Sequence, residues 1–196
     1  MKVVVPMAGR GTRLSSVSDT PKPFIELNGK PMIYWALKSL EGFNNISEII
    51  FIILSGHKNE LDIVKLLDSS TNYPKNYVFI EKITKGQLCT VLTAKGIIES
   101  DEDLLIMSCD TYVQSQLYQK IVNRKESCKG IISVKELPGD QWSFVAIDHD
   151  MNVIEVAEKR RISDYASTGI YYFSNGNEFV KYSNEVIKNK NTTILG

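Results

Sequence analysis

Lys2-Val3-Val4-Val5-Pro6-Met7-Ala8-Gly9-Arg10-Gly11-Thr12-Arg13-Leu14 opens the chain, and Thr20-Pro21-Lys22-Pro23 follows it closely. Residues 2–6 form a short β-branched run that ends in a glycine-rich turn, the pattern of a buried parallel strand. Open α/β sheets bind ligands at the carboxyl ends of their strands, and this turn lies at such an end. Gly9 and Gly11 carry no side chains, so backbone amides there can come close to phosphate oxygens. Arg13 and Lys22 supply the positive charge that a polyphosphate requires.

Two commoner phosphate loops are excluded. The dinucleotide fingerprint needs a third glycine where Leu14 stands, and the Walker A pattern needs Ser or Thr after Gly29-Lys30, where Pro31 stands.

Moving outward, strands and helices alternate. Strands are expected at 48–54 (EIIFIIL), 77–81 and 104–108. Helices are expected at 31–40, 59–67, 87–98 and 114–124, Pro31 being favoured in a first turn. Alternation of this kind implies a doubly wound parallel sheet. The second half reads differently: strand-like runs at 130–135, 143–148, 153–157 and 168–173 have few helical intervals, and a last helix covers 177–188. The fold class is therefore α/β, a Rossmann-like doubly wound mixed sheet, mainly parallel with an added antiparallel portion. Residues 1–196 read as one domain, which leaves open that the chain stops short of its working C-terminus.

Composition narrows the function classes. Of 196 residues, 43% are hydrophobic and 23% charged, and 23 Lys plus Arg balance 23 Asp plus Glu. A neutral chain has no global attraction to nucleic acid or to an anionic membrane, so phosphate binding must be local. Three cysteines (Cys89, Cys109, Cys128) make no disulfide framework, and two histidines are too few for a zinc site. The first apolar run meets Arg10 and Arg13 at once, unlike a signal peptide or membrane span, and a cytoplasmic location is expected.

Asp110 directly follows a buried strand, where a carboxylate is poorly placed for packing and well placed to hold a hard cation; capping the next helix is the other reading. Gly86-Gln87 opens a helix, where Gln87 either meets a ligand or decorates the helix. Glu158-Lys159-Arg160-Arg161 closes a strand, and its plain alternative is a solvated charge run.

The opening segment resembles the signature of the sugar nucleotidyltransferase superfamily, G-x-G-T-R-L followed by P-K-P, and the similarity runs from Met1 to about Phe173. That superfamily, of glycosyltransferase A-like fold, includes sugar-1-phosphate nucleotidylyltransferases and phosphocholine cytidylyltransferases. The resemblance implies transfer of NMP from an NTP to a sugar 1-phosphate or another small phosphorylated metabolite, with pyrophosphate released. It implies that Met7, Ala8, Gly9, Arg10, Gly11 and Thr12 wrap the nucleotide, that Gln87 meets the base, and that Arg13 and Lys22 act on the phosphates. Asp110 would bind Mg²⁺, Lys159 would hold the acceptor phosphate, and Glu158 and Gly169 would border the acceptor. Met7-Ala8 replace two small residues, and Arg160 replaces the proline of E-K-P. The longer base-contact motif of thymidylyl enzymes is missing, which leaves the base open with CTP slightly favoured. The expected partners are an NTP and a small phosphorylated acceptor, with homo-oligomerisation open, and the expected pathway is capsular or other surface polysaccharide precursor synthesis. A glycosyltransferase using an NDP-sugar is an alternative, although the Asp-x-Asp spacings at 101–103 and 148–150 lie away from Asp110. A non-catalytic nucleotide-sensing subunit of the same fold is another.

Overall fold

The computed structural model describes residues 1–9, 20–56 and 60–189. Four parallel strands form the centre: β1 (Lys2–Pro6), β4 (Glu48–Leu54), β5 (Lys75–Ile80) and β6 (Leu104–Met107). Between β1 and β4 lies a small hairpin, β2 (Glu26–Leu27) and β3 (Lys30–Pro31). Its turn is Asn28-Gly29, with φ of 49° and 73°. Two successive positive φ values mark a type I′ turn, which Asn-Gly tolerates at little cost. Gly29-Lys30 is thus hairpin chemistry rather than phosphate-loop chemistry.

The antiparallel portion consists of β7 (Gly130–Glu136), β8 (Ser143–Ile147), β9 (Val153–Glu158) and β10 (Tyr165–Phe173). The eight-stranded sheet has the order β5–β4–β1–β6–β10–β8–β9, and β7 also pairs with β10. Strand β10 joins the two halves: Ile170–Phe173 pair with β6, Ala166 pairs with Phe144 of β8, and nearly its whole length pairs with β7. It begins three residues earlier than the sequence pattern suggests. Tyr165, Ala166 and Ser167 mix small and polar residues, so no apolar run marks them, yet β7 pairs with all three.

The continuous apolar runs are explained by burial on both faces. Val3 and Val5, with Ile49, Phe51 and Ile53, face α1 (Met32–Leu37), α2 (Glu60–Ser70) and α5 (Leu117–Val122). Val4, Ile50 and Ile52 face α3 (Gln87–Leu92), α4 (Lys95–Ile98) and α6 (Gly176–Lys188). Each such isoleucine or phenylalanine contributes about 1.5–3 kcal/mol by leaving water.

Two helices differ from expectation. The single helix expected at 87–98 breaks at Thr93 and Ala94, whose amides bond to Thr90 and Val91 three residues back. Val91, Ala94 and Ile98 stay on one buried face across the break, so periodicity does not reveal it. The helix expected at 114–124 shortens to 117–122, with Gln116 in the cap position, and the segment before it is held by the Val113 amide's bond to the Ser39 hydroxyl at 2.8 Å.

Candidate active site at the carboxyl ends of β1 and β6

Strands β1 and β6 are parallel neighbours, with Val4 opposite Ile106, so the segments that follow them emerge side by side. Pro6, Ala8 and Gly9 from the first and Ser108, Cys109 and Asp110 from the second line one wall of an open pocket of about 460 Å³. The other wall comes from the loop after β5 and from α3: Ile83, Thr84, Gly86, Gln87 and Thr90. A depression of about 470 Å³ lies between the ends of α1 and α2. Helices in such a sheet run back toward the amino ends of the strands, so that depression is at the opposite end of the sheet. None of the residues singled out in the sequence borders it.

Lys22 starts a short 3₁₀ turn, Lys22–Phe24, anchored by buried Pro23 and Phe24. Its ammonium is ion-paired with the Asp110 carboxylate, and both remain partly open to solvent, 38% and 25%. Thr111 donates its hydroxyl to the other Asp110 oxygen at 3.2 Å. Asp110 does not cap a helix, since α5 begins at Leu117 with Gln116 in the cap position. Two residues far apart in sequence, read separately as a phosphate cation and a metal ligand, therefore meet.

Gln87 does not cap either: the cap position of α3 is Gly86, and Gln87 lines the pocket. Ala8 and Gly9 line it as well, whereas the Met7 side chain is 4% exposed and packs into the core. Met7 is thus a wall behind the pocket. Among the described residues, a Cβ built on Gly9 meets no atom within 4 Å. Arg10, Gly11, Thr12 and Arg13 lie outside the described residues.

Glu158 and Lys159 close β9. Their side chains pair at 2.9 Å, and the second Glu158 oxygen is buried without a partner among the described residues. Lys159 has φ of 50°, a left-handed backbone that costs a bulky residue energy, and its amide is held by the Trp142 carbonyl at 2.8 Å. Trp142 in turn donates its indole to the Pro138 carbonyl at 3.0 Å. Arg161 donates to the carbonyls of Leu137 and Gly139, which ties the loop before β8 to the end of β9.

Gly169 sits in an irregularity of β10 between Ser167 and Tyr171, with φ of 82°. A Cβ there would lie 2.1 Å from the Ser108 hydroxyl oxygen. Gly169 therefore lets β10 press against a pocket residue. The row Ala166–Phe144–Ala157 places the end of β9 across β8 from β10. Three residues along β10 from Ala166 to Gly169 span roughly 10 Å, the step from the β9 end toward the pocket.

Burial pushes the Cys109 thiol up to about 12, and the adjacent Asp110 carboxylate adds to this. Ser108, Thr84, Thr90 and Ile83 are pocket residues that the sequence pattern did not single out. Neutral hydroxyls carry no spacing signature, although Thr90 is one of few buried polar residues among those described, 7% exposed. The two Asp-x-Asp spacings are occupied elsewhere. Asp101 accepts amide hydrogens from Asn177 at 2.9 Å and Asn175 at 3.4 Å, Asp103 pairs with Arg124, and Asp148 holds a hairpin turn through Asn152. Among the described residues no group of three or more His, Cys, Asp or Glu is arranged to hold a metal by itself. No described helix is long and apolar enough to cross a membrane.

Known proteins resemble this chain along nearly all of it. The profile of the nucleotidyl transferase family matches residues 2–193. The bifunctional protein GlmU of Methanocaldococcus jannaschii is 28% identical over 177 residues, 88% of this chain and 40% of that protein. This chain therefore spans less than half of that relative. The UTP–glucose-1-phosphate uridylyltransferase AglF of Haloferax volcanii is 29% identical over 181 residues, 89% of this chain and 72% of its own length. Among solved structures, a nucleoside-diphosphate-sugar pyrophosphorylase from Vibrio cholerae superposes with a TM-score of 0.79 at 23% identity, covering 94% of this chain and 78% of that one.

Proposed function

Because the chain belongs to the nucleotidyl transferase family, we propose that it transfers a nucleoside monophosphate from an NTP to a small phosphorylated acceptor and releases pyrophosphate. The observation that carries this reading is the convergence of Ala8, Gly9, Gln87 and Asp110 on one pocket, with Lys22 bound to Asp110 at its edge. The acceptor class favoured is a sugar 1-phosphate, as the name of the Haloferax relative supports. Surface polysaccharide precursor synthesis is the corresponding role. That relative uses UTP by name, so UTP joins CTP as the first nucleotide to test.

The acceptor's phosphate oxygen attacks the α-phosphorus in line, and pyrophosphate leaves. A phosphate dianion is already a nucleophile, so positioning and charge stabilisation carry the rate. Lys22 stabilises charge developing on the α-phosphoryl oxygens. Gly9 leaves room for close approach of the phosphates. Arg13, with Arg10, Gly11 and Thr12, holds the leaving phosphates. Lys159 orients the acceptor phosphate, and Glu158 holds Lys159. Mg²⁺ fits here: Asp110 is a partly exposed hard oxygen donor beside the phosphate site, and one carboxylate plus substrate phosphates is an ordinary set for this ion. Bound there, it would neutralise phosphate charge.

The test is a thermal-shift panel with CTP, UTP, dTTP, GTP and ATP, each with and without Mg²⁺. Ligand at ~100 times its dissociation constant adds roughly 2.7 kcal/mol. For a domain of this size the expected rise in Tm is on the order of 5–10 °C with one Mg²⁺-nucleotide. No rise with any of them, followed by no pyrophosphate release from any acceptor, would reject the reading.

A further inference from the structure

We infer that the hydroxyls of Thr84 and Thr90 form a clasp that positions the nucleobase wall of the pocket and so sets how well the protein discriminates among nucleotides. The inference rests on the proposed nucleotide reading and deepens it. The pocket has two chemically distinct walls. One carries Asp110 with its partner Lys22, and is suited to phosphate and cation. The other comprises Ile83, Thr84, Gly86, Gln87 and Thr90, all uncharged. It has an apolar side chain (Ile83, 40% exposed), a side-chain amide and a bare glycine. A planar neutral heterocycle matches that wall, because an apolar face can lie on Ile83 and a polar edge can meet the Gln87 amide.

The clasp is built into this wall. Thr84, in the loop 81–86, and Thr90, inside α3, bring their hydroxyl oxygens to 2.6 Å. Both also reach the Gly86 carbonyl, Thr84 at 3.0 Å and Thr90 at 3.2 Å, and the Thr90 amide donates to the same carbonyl at 3.0 Å. Each hydroxyl has one proton, so two of the three hydroxyl contacts are satisfied at a time. The shared carbonyl belongs to the residue immediately before Gln87. Fixing Gly86 therefore fixes where the Gln87 side chain leaves the backbone. A helix needs one bond from the Thr90 amide to that carbonyl; the two hydroxyls are additional, and one of them comes from the loop. Without them the loop end would have to be ordered by the nucleotide itself, at the expense of affinity.

Thr84 and Thr90 are positioning residues, acting through Gly86 and Gln87. The experiment titrates wild-type protein, Thr90→Val, Thr84→Val and Thr90→Ser with the Mg²⁺ complexes of CTP, UTP, dTTP, GTP and ATP, and with Mg²⁺–triphosphate, which has no base. Removal of one hydroxyl is expected to weaken the best-bound nucleotide about fivefold to tenfold, as loss of one hydrogen bond does. The affinity spread among the five nucleotides narrows, triphosphate affinity stays as in wild type, and Thr90→Ser restores nucleotide binding. Thr84 sits in the loop, half-buried, so Thr84→Val tests the same contact should Thr90→Val fail to fold. Unchanged nucleotide affinity and discrimination in folded variants would overturn the clasp alone. Equal loss of nucleotide and triphosphate would also overturn it, since that is the mark of general damage. A wild-type protein that binds triphosphate and none of the five nucleotides would overturn the nucleotide reading and the clasp with it.

Discussion

The site falls into two regions built on opposite principles. At the ends of β1 and β6, residues 8, 9, 22, 83, 84, 86, 87, 90 and 108–110 are brought together by strands with almost no exposed residues. At the end of β9, Glu158 and Lys159 are sequence neighbours that pair with each other, on a strand whose Val153, Ile154 and Val156 are each about half exposed or more. The first region owes its geometry to the core. The second owes its geometry to local devices: the left-handed backbone at Lys159, its amide bond to Trp142, and the Arg161 clip. Substitutions in the first region should therefore separate chemistry from stability cleanly, whereas those in the second should act mainly through placement of the acceptor.

Lys22→Ala puts the heaviest load on that contrast. Loss of a transition-state charge partner should lower kcat by about 10²–10³. The ion pair it breaks is partly exposed and worth about 0–1 kcal/mol, so Tm should move by no more than about 4 °C. Pyrophosphate release within a fewfold of wild type would dissolve the distinction. Gly169→Ala comes next, because it forces a Cβ against Ser108 at an unfavourable φ. A cost of about 1–3 kcal/mol is expected, and calorimetry should show Tm lowered by several degrees. An unchanged Tm would mean that β10 does not press on the pocket. Lys159→Ala should raise the acceptor KM about tenfold, the effect of removing a single charged partner of the phosphate, with kcat and Tm near wild type. Lys159→Gly should melt above Lys159→Ala, since glycine adopts φ of 50° without strain. Equal melting would remove the backbone device from the account of the second region.

The smallest effect concerns Cys109. Its thiol is pushed up to about 12 by burial, from an ordinary value of 9.0. The folded state therefore holds that proton more tightly than the unfolded chain. The associated stability is fully present below pH 9.0 and is lost as pH rises toward 12. Iodoacetamide at pH 8 should leave Cys109 unmodified in the native protein, as peptide mapping would report, and Cys109→Ala should soften the alkaline fall in Tm. Rapid labelling of Cys109 would show that its thiol is reached from the pocket it lines.

Much of this was legible in the sequence where burial leaves a periodic mark. The runs at 2–6, 48–54 and 104–108 read as buried strands because both faces of β1, β4 and β6 are covered. Asp110 was legible because a carboxylate after such a run has no packing role. The break in the helix at Thr93 was not legible, since the buried face continues through it. Nor were Thr84, Thr90 and Ser108, whose importance lies in hydrogen bonds across six or sixty-one residues that no local pattern encodes. For Met7 the resemblance implies a nucleotide contact, and its side chain packs into the core, which leaves its backbone as the part that faces the pocket loop.

Strand β10 has a consequence for how the chain is made. Its Ile170–Phe173 pair with Leu104–Met107, and its Tyr165 to Phe173 pair with β7; it is the last strand among the described residues and borders three others. During synthesis the buried β6 edge, Leu-Leu-Ile-Met, must wait for more than sixty further residues before its partner emerges. An unpaired apolar edge of this kind is the usual seed of aggregation. Closure of the sheet is therefore a late, long-range event, and folding of this protein should be slow and helped by low temperature or a holding chaperone.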